Sequence, residues 1–145
     1  MRPEKQSYYM SIAAQVAKRS TCLRRQYGAI IVKDDVIVST GYNGACRGEE
    51  NCCDLGYCER ERLGVPHGER YELCKAVHAE QNAIINGNRL DMIGADLYVF
   101  GWQNGEPIDT ECCLMCQRTI RNARIGRVLK NHPTDDSIVI EQIAD

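Results

Sequence analysis

Along this chain apolar and polar positions alternate in two periods. Over residues 7–20, Tyr9, Ile12, Ala13, Val16 and Ala17 recur every three or four positions, which predicts an amphipathic helix. Residues 27–32, Tyr27-Gly28-Ala29-Ile30-Ile31-Val32, and residues 36–40, Val36-Ile37-Val38-Ser39-Thr40, are short apolar runs around the turn Lys33-Asp34-Asp35. They predict two antiparallel strands, and their near-continuous hydrophobicity predicts a sheet covered on both faces. Helical texture returns over 78–86 and stops at Gly87. Leu97-Tyr98-Val99-Phe100 marks a buried strand within 96–101, and residues 102–110, with Gly105 and Pro107, read as a loop. A helix is predicted over 113–123, with Thr110 as cap and Glu111 as a first-turn acid, and then a strand over 127–130. Asp135-Asp136-Ser137 breaks the pattern, and residues 137–143 fit a strand or a short helix equally.

Two antiparallel strands followed by alternating helix and strand predict an α/β fold, a mixed sheet with helices packed on its faces. The β-α-β-α-β portion is expected to be parallel, with right-handed connections. One segment stands apart. Over residues 45–75 periodicity disappears, and Cys46, Cys52, Cys53, Cys58 and Cys74 crowd together with His67, glycines and charges. A structureless loop of that length is unusual inside a compact domain, so an insertion ordered by a metal cross-link is expected.

Composition narrows the classes. A length of 145 residues suits one domain, 1–145, with its own core, and 43% hydrophobic with 26% charged residues is ordinary for a globular protein. A net charge of -2 gives no electrostatic reason to expect a nucleic-acid polymer as partner. The first six residues lack an apolar signal core and no run reaches membrane-spanning length, so a cytoplasmic protein without a membrane partner is expected. In that reducing compartment nine cysteines point to metal binding before disulfides.

The chemistry concentrates in His78-Ala79-Glu80 and Cys113-Leu114-Met115-Cys116. One imidazole and two thiolates give zinc three protein ligands and leave a fourth tetrahedral position open. Each motif opens a predicted helix, beside strand ends where α/β active sites tend to lie. Cys113 and Cys116 lie three apart in a first turn, so both side chains face the same way, and the helix N-terminus favours the thiolate form. A metal held in this way acidifies a water, and Glu80, two residues from its ligand, is placed to shuttle protons as the catalytic base.

These motifs carry a resemblance. Ser20-Thr21-Cys22, Gly28-Ala29-Ile30-Ile31-Val32-Lys33-Asp34, Gly41-Tyr42-Asn43-Gly44, Gly68-Glu69-Arg70-Tyr71-Glu72-Leu73-Cys74, His78-Ala79-Glu80-Gln81-Asn82-Ala83-Ile84 and Cys113-Leu114-Met115-Cys116 follow one another as in the deoxycytidylate (dCMP) deaminases. The chain resembles that family, within the cytidine deaminase-like zinc superfamily whose H-x-E and C-x-x-C pattern marks nucleobase deaminases. The resemblance implies a three-layer α/β/α sandwich with a mixed five-stranded sheet, and zinc-dependent conversion of dCMP to dUMP and ammonia. It carries the catalytic zinc ligands onto His78, Cys113 and Cys116, the proton shuttle onto Glu80, and a substrate contact onto Asn43. Read from the residues alone, Asn43 is equally a turn residue. A second, structural zinc is implied at Cys22, Cys53, Cys58 and Cys74, with Cys52 an open alternative to Cys53 and His67 an alternative ligand.

The resemblance further implies a homo-oligomer, hexamer favoured, and dCTP and dTTP as effectors. One departure stands out: Cys112 occupies the place where the family usually has proline. Two other readings share parts of the pattern. A tRNA adenosine deaminase or riboflavin-precursor deaminase shares the zinc motifs, and Arg118, Arg121 and Arg124 at helical spacing are either an RNA-contacting or a solvated stripe. A zinc-dependent assembly module without catalysis would not require Glu80. Arg24 and Arg25 are either phosphate contacts or surface residues.

Overall fold

The computed structural model describes residues 1–66, 69–70, 73–132 and 137–143; His67, three motif residues (Gly68, Tyr71, Glu72) and the break at Asp135-Asp136 lie outside the described residues. Helix α1 (Lys5–Ala17) precedes the hairpin of β1 (Gln26–Lys33) and β2 (Val36–Tyr42). The short strand β3 (Gly44–Ala45), two single-turn helices, α2 (Cys52–Leu55) and α3 (Glu59–Arg62), and β4 (Ala76–Val77) span the insertion. Then follow α4 (Ala79–Asn86), α5 (Arg89–Met92), β5 (Asp96–Gln103), β6 (Glu106–Ile108), α6 (Leu114–Asn122), β7 (Arg127–His132) and β8 (Ser137–Gln142).

The main sheet runs β2-β1-β5-β7-β8, with β6 paired to the end of β5. The expected five strands are therefore joined by a sixth. Among the strands expected to be parallel, β5 and β7 pair directly. β1 lies between β2 and β5 and is antiparallel to both, so the expected parallel run is interrupted. The final segment is a strand, antiparallel to β7.

Side-chain alternation explains the apolar strands. Ala29 and Ile31 of β1, Leu97 and Val99 of β5 and Val128 of β7 pack with Ala79 and Ala83 of α4 and Cys116 and Ile120 of α6. Their neighbours Ile30, Val32, Tyr98 and Leu129 face the other way, onto Tyr9, Met10 and Ala13 of α1. Both faces are covered, so each strand position is apolar whichever way it points. Burying each large aliphatic side chain stabilises the fold by roughly 1.5–3 kcal/mol before entropy is counted. Arg127 locks the parallel pair by donating from Nε and Nη2, one edge of its guanidinium, to Asp96 Oδ1 and Oδ2 at 2.8 and 2.6 Å.

Two glycines set how closely the helices approach. A Cβ on Gly28 would collide with the Ala13 carbonyl and Ala17 backbone of α1, and one on Gly41 with the Ala79 and Ala83 backbone of α4. Gly41 pairs with Ala29, next to Gly28 in β1, so the two helices press on adjacent points of the hairpin from opposite faces. Asn82 Nδ2 donates to the Tyr42 carbonyl at 2.8 Å and Asn86 Nδ2 to the Thr40 carbonyl at 2.9 Å, which fixes α4 along β2.

Candidate active site

His78 directly follows β4 and serves as the N-cap of α4. Its main chain is held from both sides. Val77 pairs with Gly44 in the small β3–β4 sheet, the His78 N–H donates to Gln81 Oε1 at 3.2 Å, and the His78 carbonyl accepts from Asn82 N at 3.0 Å. This pairing carries the Gly41-Tyr42-Asn43-Gly44 turn to the imidazole across a long stretch of sequence. Cys113 caps α6, and its sulfur accepts from the Cys116 N–H at 3.4 Å. The cap is therefore the thiol itself. Thr110, expected in that role, is buried and donates instead to Asn131 Oδ1 at 3.0 Å.

His78 Nδ1 lies 3.1 Å from Cys116 Sγ and 3.4 Å from Cys113 Sγ. Among the described residues these three form the one group of His, Cys, Asp or Glu donors gathered within 4.8 Å of one another. Tetrahedral zinc with one nitrogen and two sulfurs sets donors about 3.5–3.8 Å apart, so these donors need to open by only a few tenths of an ångström to hold it. The electrostatics fit as well. Burial, then the Glu80 carboxylate and Cys113, push the Cys116 thiol far above its usual range. A divalent cation at these donors is what would turn buried thiols beside a carboxylate into thiolates.

Glu80 sits in the first turn of α4, 6% exposed, on the wall of the same cavity. Beside it lies Cys112, 7% exposed, in the position of the family's proline. Burial and the neighbouring Glu80 push the Cys112 thiol far above its usual range and hold it protonated. No motif pointed to this contact. The departure from proline was its one signal in the sequence.

The cavity, about 120 Å³, is lined by His78, Glu80, Cys113 and Asn43. Asn43 is 7% exposed and engaged with the protein: its Oδ1 accepts from the Tyr27 N–H at 2.8 Å and from Ser20 Oγ at 2.5 Å, and its Nδ2 donates to the Arg25 carbonyl at 3.0 Å. Asn43 is thus a turn bracket that also lines the cavity wall.

Cys22, Cys58 and Cys74 line the same cavity. The choice left open between Cys52 and Cys53 divides by burial. Cys52 is buried, and burial with neighbouring Cys22, Cys74 and Cys58 pushes its thiol up. Cys53 is exposed, with its N–H donated to the Thr21 carbonyl at 3.1 Å. Among the described residues these thiols form no group of three within 4.8 Å of one another. Arg118, Arg121 and Arg124 are exposed. No described helix is long and apolar enough to cross a membrane.

Comparison with known proteins places this geometry. The family model for the cytidine and deoxycytidylate deaminase zinc-binding region matches residues 3–131. The deoxycytidylate deaminase of Mycobacterium phage D29 is 39% identical over 133 residues, covering 88% of this chain and 94% of the relative. That of Schizosaccharomyces pombe is 34% identical over 128 residues, 88% of this chain but only 37% of the relative's length. Among solved structures, dCMP deaminase from the cyanophage S-TIM5, in complex with dCMP and dUMP, superposes with a TM-score of 0.61 at 27% identity, covering 88% of this chain and 81% of that one. With the zinc-binding region matched over residues 3–131, the chain belongs to the cytidine and deoxycytidylate deaminase family.

Proposed function

We propose that this chain is a zinc-dependent hydrolase that converts dCMP and water to dUMP and ammonia, with residues 1–145 acting as one deaminase domain. The observation that carries the reading is the convergence of His78, Cys113 and Cys116 on a cavity whose wall holds the buried carboxylate of Glu80. The names of the relatives supply the substrate class. Bound at the three donors, zinc supplies a Lewis acid that activates water for attack on the ring carbon bearing the amino group. Glu80 accepts the proton released by that water on a carboxylate oxygen. It passes the proton to the ring nitrogen, then assists departure of ammonia. His78, fixed between β4 and α4, holds the position of the centre relative to Asn43.

The reading includes a second, structural zinc at Cys22, Cys58, Cys74 and a fourth thiol. Burial favours Cys52 in that fourth place over Cys53. Two zinc ions per chain are expected by elemental analysis, falling to one in Cys52→Ser and staying at two in Cys53→Ser. A cytoplasmic homo-oligomer, hexamer favoured, with dCTP and dTTP as effectors, completes the proposal. The test of the reaction is Glu80→Gln, assayed by ultraviolet absorbance on dCMP beside deoxycytidine, CMP and dCTP. Retained catalytic zinc with turnover lost is expected; unchanged turnover would show that Glu80 moves no proton.

A further inference from the structure

Gly101 of β5 pairs with Tyr27 of β1 on one side and with Ile108 of β6 on the other. Since β1 flanks β5 along its whole length, β6 takes the edge that β7 occupies further back, at residues 96–99. The chain leaving β6 therefore passes the end of β7 on its way to Cys113. Residues 109–112, which make that passage, have no regular secondary structure. Their placement falls to side chains.

The end of β7 supplies these side chains one after another. Lys130 Nζ donates to Glu111 Oε2 at 3.3 Å. Asn131 Oδ1 accepts from Thr110 Oγ1 at 3.0 Å, and its Nδ2 donates to the Ile108 carbonyl at 3.3 Å. His132 Nε2 stands 4.0 Å from Asp109 Oδ1. From α6, Gln117 Nε2 donates to the Cys112 carbonyl at 2.9 Å. Lys130 and Asn131 are both buried although polar. We propose that Lys130 and Asn131 are positioning residues for the metal centre: by holding the segment that delivers Cys113, they set where its sulfur stands relative to His78. The inference rests on the metal-binding part of the reading above and not on which base is deaminated.

Lys130 makes the widest connection. Besides Glu111, which lines the cavity, its ammonium pairs with Glu141 of the edge strand β8 at 2.9 Å. Both carboxylate side chains reach solvent, at 83% and 51% exposed, while the lysine side chain is 9% exposed. Stability alone does not call for such a cation. Its burial costs desolvation, and an apolar side chain of similar volume commonly replaces a buried ion pair without loss. An apolar side chain does not, however, fix the direction of Glu111, two residues before the ligand. Side chains that orient a metal ligand without touching the metal are typically worth about 10- to 100-fold in metal affinity. The loop is therefore registered on the sheet by charge and hydrogen bonds, and the sheet in turn places the sulfur.

Zinc retained against a graded series of chelator concentrations tests the role without requiring turnover. Cys113→Ser identifies which zinc equivalent belongs to this centre. Lys130→Met is expected to stay folded by circular dichroism, with a melting temperature close to that of the unsubstituted protein, and to hold that equivalent about 10-fold more weakly. Thr110→Val, which removes the hydroxyl bonded to Asn131, is expected to weaken it similarly and keeps the test open if Lys130→Met fails to fold. Lys130→Arg should restore most of the affinity, because it keeps the charge between the two carboxylates. Retention equal to that of the unsubstituted protein in folded Lys130→Met and Thr110→Val would overturn the positioning role and leave the metal reading standing. Equal weakening of any second zinc equivalent would also overturn it, since general loosening would then suffice. An unsubstituted protein holding no zinc that Cys113→Ser removes would instead overturn the metal reading, and this inference with it.

Discussion

The carboxamide oxygen of Asn43 accepts the backbone N–H of Tyr27 at 2.8 Å, so the turn after β2 is bolted to the start of β1 by a side chain. With Ser20 Oγ and the Arg25 carbonyl as its other partners, this residue closes three connections at once. Asn43→Ala should lower stability by about 2–4 kcal/mol, taking roughly 1 kcal/mol for each bond lost. Urea unfolding would register the loss as a lower midpoint at unchanged slope. A midpoint equal to that of the unsubstituted protein would mean that Asn43 serves ligand binding alone.

Gly41 admits no side chain. Its missing Cβ lies where the α4 backbone passes, so Gly41→Ala must push the helix away from β2. We expect a cost of about 1–3 kcal/mol from overpacking, and a fall in turnover larger than the loss of folded protein explains, because Glu80 rides on that helix. Thermal unfolding and steady-state kinetics on the same preparation would separate the two effects.

Cys112 offers a finer test. Its protonated thiol neighbours Glu80 and is placed to serve as a donor to that carboxylate, so Cys112→Val should lower kcat about tenfold while zinc content and KM change little. Cys112→Ser keeps a donor and should recover most of the rate. Equal rates in the two variants would reduce Cys112 to a packing residue.

At the far end of the hairpin, Tyr9 Oη donates to Asp35 Oδ1 at 2.6 Å, and Lys5 Nζ pairs with Asp35 Oδ2 at 2.8 Å. The bond to Asp35 raises Tyr9 from 10.0 to about 12, while Lys5 and Tyr9 lower Asp35 below its usual 3.8. The signs give two limbs. The Tyr9 contribution is complete below pH 10 and fades as pH rises toward 12, when the phenol ionises even in the folded protein. The Asp35 contribution is complete above its usual value and fades as pH falls below it. Tyr9→Phe should lower the melting temperature between these limits and flatten the alkaline limb, as followed by circular dichroism across pH.

Legibility in the sequence depended on distance along the chain. His78, Glu80, Cys113 and Cys116 were readable because each motif lies within one turn, where spacing alone decides which way side chains face. The apolar strands were readable for a similar reason, since β1, β5 and β7 are covered on both sides. The β5–β6 hairpin was missed although Asn104-Gly105 is the strongest short hairpin signal and both residues take positive φ. Pro107 drew the segment toward a loop, yet among the described residues β6 pairs with β5 alone and so tolerates a missing donor. Cys52 and Cys53 could not be separated because neighbouring positions on a four-residue helix differ only in what lies beyond it. β1 between β2 and β5, and β3 against β4, are pairings of remote segments that no local period records.

The sheet is thinnest where Gly28 and Gly41 lie side by side, with a helix backbone resting on each face. At that spot the position of Glu80 is set by main chain against main chain, not by the shapes of surrounding side chains. Core residues elsewhere can therefore drift in size over evolutionary time while the carboxylate keeps its place, provided these two positions stay bare. A lineage would lose the alignment of its proton carrier sooner through one added methyl at either glycine than through several exchanges among the valines and isoleucines around them.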